Sequence, residues 1–350
     1  MTKTLLDYDT CIRARAPLRI GLAGGGTDLT PYCEKFGGYV LNATINRYAY
    51  ANLKKLREPL VRFISYDQQL EESYPLHDVN SQNSKLKIHM AIFNYMITEF
   101  NGGAPIPLEL STYCDAPIGS GLGASSTLVV AIIRGFVELL NISLDEYAIA
   151  HLAYRIERIE CGLQGGRQDQ YSATFGGVNF MEFYEEDRVI VNTLRIKSSV
   201  LCELEASLIL YFTGVSRESA KIIQTQARNL DAGSEAALNA MHVIKKEALT
   251  MKDCLLRSDF DGVIESMRLG WEGKKNTATL VTNAHINHIY SSAIKAGAAA
   301  GKVSGAGGGG FMMFYVAPNR RMDVIRNLKE FGGEVSNCHF TSKGAQAWII

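Results

Sequence analysis

The stretch GSGLGASST, residues 119–127, sets three glycines at alternate positions and follows them with Ser125, Ser126 and Thr127. An apolar run, TLVVAIIRGFVELL (127–140), begins at once. A glycine loop that opens a helix offers unpaired backbone N–H groups and the positive end of the helix dipole. Small residues let an anion approach that backbone closely. The chemistry implied is the holding of a phosphate-like anion. Residues 24–26, all glycine, and 305–310, five glycines in six, point the same way. A chain seldom gives up so much backbone entropy without a close approach to justify it.

The common nucleotide fingerprints do not account for these loops. No G-x-x-x-x-G-K-[ST] string occurs, which excludes the ordinary P-loop. GSGLGA (119–124) and GAGGGG (305–310) match the dinucleotide pattern in letters only. Asp115-Ala116-Pro117-Ile118 separates the first from its strand, and the acid at the expected distance, Glu138, falls inside a helix. The second runs into FMMFYV, a strand pattern where a helix is required.

The elements that must position these loops read as follows. Strand patterns cover 11–20, 37–56, 60–67, 106–114, 176–184 and 208–214. Helical spacing covers 85–100, 127–140, 145–161, 217–230, 234–257, 259–274 and 285–298, and 320–333 closes as helix before a strand at 334–340. LQGGRQDQ (163–170) reads as loop, and 301–316 as a glycine loop entering a strand. No strict βαβ alternation and no repeat is present, so the class expected is α+β. With 350 residues, two domains are expected, 1–199 and 200–350.

Composition narrows the partners. The 36 basic and 36 acidic residues cancel, where a nucleic-acid binder carries a basic excess. Seven scattered cysteines without a C-x-x-C pair suit a reduced, cytoplasmic protein. MTKTLLDYDTCIRARAP has no leader-length apolar stretch, and no run of membrane-spanning length exists. His285 and His288 are three apart on a helix but lack a third ligand at metal spacing. The basic segment RRMDVIRNLK reads as a solvated helix face.

Three strings in order, APLRIGLAGGGTD (16–28), PIGSGLGASS (117–126) and KVSGAGGGGF (302–311), resemble the three motifs of the GHMP small-molecule kinases. Within that family, LAGGGTDLTPYCEKFGGYVLNATIN and GGRQDQYSATFGG are similar to the D-glycero-D-manno-heptose 7-phosphate kinases, which form heptose 1,7-bisphosphate for nucleotide-sugar synthesis. The fucose 1-kinases share part of the pattern. The resemblance implies a ribosomal-S5-like N-terminal domain, a ferredoxin-like C-terminal domain and a site between them. It implies ATP and Mg2+ as cofactors, a sugar phosphate as the small-molecule partner, and neither nucleic acid nor membrane; a homodimer is an open alternative to the monomer. Competing readings are the same transfer to fucose and a kinase-like sensor without turnover.

The same resemblance assigns residues. Pro117, Gly119, Ser120, Gly121, Leu122, Gly123, Ala124, Ser125 and Ser126 would cradle the nucleotide phosphates. Ser125 or Ser126, with Glu157, would bind magnesium; this chain reads GLGASS where many relatives read GLGSSA, which leaves the serine open. Asp169 corresponds to the catalytic aspartate, as proton acceptor or as orienting group, and Arg19 to the basic residue that keeps it ionised. Gly25, Gly26, Thr27 and Asp28 would contact the sugar, with Ser304 and Gly307 closing beside the phosphates. A phosphosugar needs a cation at its far end. Arg13, Arg15, Arg47, Arg167 and Lys302 are the candidates, and Arg167 is preferred for its place beside Asp169.

Overall fold

Residues 10–79, 84–215 and 219–350 are described by the computed structural model. Residues 1–9, part of the stretch read above for a leader, and 217–218, at the start of one expected helix, lie outside the described residues.

The first part opens with β1 (Cys11–Ala23), α1 (Tyr32–Phe36) and the long strand β2 (Gly38–Lys55). Then come β3 (Leu60–Ser65), β4 (Leu70–Pro75), α2 (Lys87–Phe100) and β5 (Leu108–Cys114). α3 (Ala124–Leu139), α4 (Glu146–Tyr154) and α5 (Gln168–Phe175) precede β6 (Val178–Phe183) and β7 (Val189–Thr193). α4 continues as a π-helical turn over Arg155–Glu160. The second part holds α6 (Ser198–Ser207), β8 (Leu208–Phe212), α7 (Ser219–Asp231), α8 (Glu235–Arg257), α9 (Phe260–Lys275) and α10 (Ala284–Ala296). It ends with β9 (Ala298–Val303), β10 (Phe311–Val316), α11 (Arg321–Lys329), β11 (Glu334–Asn337) and β12 (Gln346–Ile349).

The large sheet runs β12-β1-β2-β5-β3-β4, with β6 and β7 branching from the first half of β2. The small sheet is antiparallel in the order β11-β8-β10-β9. Numbered within its own part, that order is 4-1-3-2, with helices after the first and third strands. This is the split βαβ arrangement of ferredoxin-like folds. The α+β class and the two-part architecture therefore agree with the sequence reading. The last strand does not follow the division at 199: β12 returns to pair with β1 over Ile12↔Ile349 to Arg15↔Gln346. An unpaired β1 edge would expose a row of donors and acceptors, and the chain end covers it.

α3 explains the apolar run without clear periodicity. It is buried almost all round between β1, β2 and the neighbouring helices, so both its faces are apolar. α8 and α9 pack as a pair over β1 and β2 and join the two parts. The glycine loops meet backbone to backbone. A Cβ on Gly121 would lie 2.5 Å from the Ser304 carbonyl oxygen, and one on Gly305 would lie 2.8 Å from the Gly121 Cα. That contact is a physical reason for clustered glycine in two distant segments.

Candidate active site

β1 does not pair evenly with β2: its register shifts between Pro17 and Arg19 and again between Gly21 and Ala23. Proline has no N–H for the ladder, and a local bulge re-aims the side chain beside it. The Arg19 N–H donates to the Leu122 carbonyl at 3.1 Å, which ties β1 to the middle glycine loop. The Arg19 guanidinium is 4% exposed. Its Nε and Nη2 both lie 2.6 Å from Asp169 Oδ1, and its Nη1 donates to the Gly121 carbonyl at 2.6 Å. Ser304 Oγ donates to the same carbonyl at 2.9 Å. One arginine thus joins the acid, the middle loop and the third loop.

Asp169 sits on the first turn of α5, where the sequence reads as loop. The helix starts there through a distant partner. Asp28 Oδ2 accepts the N–H groups of Arg167 (3.0 Å) and Gln168 (3.1 Å), and Oδ1 accepts Gly26 N–H and Gln168 Nε2, each at 3.1 Å. The Arg167 and Gln168 N–H groups are orphan donors of the helix start, capped by a residue 139 positions from Arg167. Four donors occupy a carboxylate with about four lone-pair sites. Asp28, expected to hold a sugar hydroxyl, is taken up in fixing α5, and with it Asp169. Thr27, also expected at the sugar, is fully buried and pins its own loop through Gly24 O, Tyr39 O and Tyr39 N–H.

The N-terminus of α3 has no side-chain cap; Gly123 sits at its N-cap in the left-handed conformation. A Cβ at Gly123 would come 3.1 Å from the Asp169 carboxyl carbon, so the acid stands directly against the loop. Ser125 Oγ donates to Glu157 Oε1 at 2.9 Å. Glu157 is 1% exposed, accepts Gln170 Nε2 at Oε2 (2.6 Å) and lies 3.2 Å from Arg158 Nη1. The π-helical turn carries both Glu157 and Arg158; such turns are frequent at functional sites. Ser126 Oγ instead accepts from Arg158 Nη2 and Gln170 Nε2, both at 3.2 Å, and is buried. Ser125 is thus the serine that bonds the Glu157 carboxylate directly.

These groups line one cleft of about 580 Å³. Arg19, Gly25, Gly26, Asp28, Gly119, Gly121, Gly123, Ala124, Ser125, Ser126, Glu157 and Asp169 all border it. Ser120, Leu122, Thr27, Ser304 and Gly307 are buried behind that wall, and Pro117 is exposed outside it. Arg167 departs from the expectation. Its guanidinium turns into an adjoining cavity, 2.6 Å from Asp187 and 3.8 Å from Glu34, over the Tyr154 ring. Two carboxylates already meet its charge.

The sequence reading passed over Lys274, Arg158 and Gln168. Lys274, near the end of α9, is buried and donates to Gly25 O at 2.9 Å. Burial, with Arg19 adding to it and Asp28 and Asp169 opposing, brings this ammonium down to about 8. Lys302 on β9 donates to Leu22 O at 2.9 Å, the carbonyl that the second register shift of β1 leaves free. Burial and the charges of Lys274 and Arg19 push it down to about 7. WEGKKNT, around Lys274, lies in none of the glycine motifs, so spacing gave no signal for it.

Comparison with known proteins identifies the family. The model of the GHMP kinases N terminal domain matches residues 87–177, and that of the GHMP kinases C terminal region matches 251–333. The chain belongs to the GHMP kinase family, and its activity class is phosphotransfer. It is 46% identical over 339 residues to the D-glycero-alpha-D-manno-heptose 7-phosphate kinase of Campylobacter jejuni subsp. jejuni serotype O:2, covering 97% of this chain and 99% of that protein. A crystal structure of a D-glycero-D-manno-heptose 1-phosphate kinase from Bacteroides thetaiotaomicron superposes with a TM-score of 0.83 at 40% identity, covering 97% of this chain and 99% of that one. The bifunctional fucokinase/GDP-fucose pyrophosphorylase of Arabidopsis thaliana is 23% identical, over 91% of this chain and 31% of that protein.

Proposed function

We propose that this chain transfers the γ-phosphoryl group of ATP to the anomeric hydroxyl of D-glycero-D-manno-heptose 7-phosphate, forming the 1,7-bisphosphate. The observation that carries the reading is the Arg19–Asp169 pair, held at 2.6 Å against the glycine loop that opens α3. Phosphoryl transfer needs anchored phosphates and an oriented hydroxyl, and little else from the protein. Loop 119–126 and the uncapped N–H groups of α3 supply the anchor. Asp169 accepts a hydrogen bond from the anomeric hydroxyl and is placed to take its proton. Arg19 orients that carboxylate and offsets negative charge on the group in transit.

Magnesium fits the donors present. Ser125 Oγ and Glu157 Oε1 are oxygens 2.9 Å apart on the cleft wall, and no cluster of three or more His, Cys, Asp or Glu exists among the described residues. A hard cation held by two protein oxygens takes the rest of its shell from phosphates and water. When bound, it would neutralise charge on the β- and γ-phosphate oxygens. Arg158, 3.2 Å from Glu157, would bring a second positive charge to the same phosphates.

The heptose 7-phosphate as acceptor rests on the near-full-length similarity to the Campylobacter protein, and a fucose-type acceptor on a far weaker one. A coupled ADP-release assay over sugars and sugar phosphates separates them. The expected result is turnover with heptose 7-phosphate and little with fucose; the reverse order overturns the assignment.

A further inference from the structure

The charges lining the cleft do not balance. Among the described residues, Arg19 is matched by Asp169 and Arg158 by Glu157. The third carboxylate, Asp28, is occupied by four N–H donors. Two ammonium groups, Lys274 and Lys302, are left over, each 8% exposed or less. Each has three N–H donors, of which one is spent on a backbone carbonyl: Gly25 O for Lys274, Leu22 O for Lys302. No carboxylate forms an ion pair with either one among the described residues. Yet both border the cleft, and each feels the Arg19 charge; Asp28 and Asp169 partly offset it at Lys274, while Lys274 adds to it at Lys302.

Burying two ammoniums beside a guanidinium is unfavourable unless an anion joins them. Apolar residues of like size would serve better as plain struts between α9 and the first glycine loop and between β9 and β1. We propose that Lys274 and Lys302 form a phosphate-binding subsite, contributed by the second part of the chain to the cleft that the α3 N-terminus also lines. The assignment rests on the kinase reading above. The phosphate is either the ester already on the acceptor sugar or the phosphoryl group being transferred. Arg167, the preferred sequence candidate, already has its charge matched by Asp187 and Glu34.

The test uses the full-length protein and the single variants Lys274→Met and Lys302→Met, with Lys274→Arg as a charge-keeping control. Affinity is measured by calorimetry without turnover, using heptose 7-phosphate in one arm and a non-hydrolysable ATP analogue with Mg2+ in the other. A loss of about tenfold or more for the sugar phosphate alone supports the subsite and places the acceptor's ester there. The same loss for the nucleotide alone supports it and places the transferred group there. Retained affinity in both arms, in either folded variant, overturns the subsite while leaving the kinase reading intact. If the wild type does not bind heptose 7-phosphate, sodium tripolyphosphate is the probe. A rise in melting temperature that both Met variants lose, and Lys274→Arg keeps, upholds the subsite while the heptose assignment falls. An equal rise in all forms overturns it. Since each lysine is replaced separately, misfolding of one variant leaves the other to decide.

Discussion

Asp169 and Arg19 stand 150 residues apart in sequence and 2.6 Å apart in space. Neither residue is unusual alone; their chemistry comes from the contact. Asp169→Asn keeps the shape and removes the proton acceptor, so kcat is expected to fall by about 10²–10⁴ while nucleotide affinity stays nearly unchanged. Steady-state kinetics with calorimetry of a non-hydrolysable analogue checks both, and normal turnover removes Asp169 from the reaction. The two loop serines separate in the same way. Ser125→Ala is expected to raise the magnesium concentration needed for half-maximal rate. Ser126→Ala, which breaks contacts with Arg158 and Gln170, is expected to lower the melting temperature and leave that requirement alone. Equal magnesium dependence in the two variants would contradict the placement of Ser125 beside Glu157.

At the scale of elements, α5 is the piece whose position decides the site. Its start is capped by Asp28 from the first glycine loop, so Asp28→Ala leaves buried N–H groups without an acceptor. The expected cost is about 1–2 kcal/mol of stability, with a fall in kcat larger than any rise in the KM for sugar. Denaturant melts and kinetics test it; a pure KM effect would return Asp28 to direct sugar binding. The long helices and most strands were legible from apolar period and turn residues, and loop 119–127 from its glycines; β4, β7, β12 and the short α6 were not read. α5 was not, because its cap lies in another motif and QDQYSATF shows no strong apolar face. β9 was hidden in the same way: AAAGKV has little strand character and owes its state to pairing with β10. Lys274 left no trace in the sequence, since only folding brings α9 over residues 24–26.

For the whole molecule, the cleft wall is shared by both parts of the chain, and the last strand returns to the first sheet. Stability and site electrostatics are therefore coupled. In the unfolded chain Lys274 and Lys302 titrate near 10.5, while in the folded chain they titrate near 8 and 7. Between about pH 7 and 10.5 the unfolded state binds more protons, so these two groups make stability rise with pH across that window. Below pH 7 both states are protonated and their contribution is flat. Lys302→Met is expected to flatten the rise in melting temperature between pH 7 and 9.5, and a slope equal to that of the wild type would contradict the lowered titration of Lys302 on burial. The central claim, phosphoryl transfer to the anomeric hydroxyl of a phosphorylated heptose, is tested most directly by phosphorus NMR of the products. Incubation with ATP and D-glycero-D-manno-heptose 7-phosphate is predicted to give ADP and a new anomeric phosphate resonance coupled to the C1 proton, with the 7-phosphate signal retained. ADP release only with unphosphorylated sugars, or a new phosphate at any carbon other than C1, would contradict it.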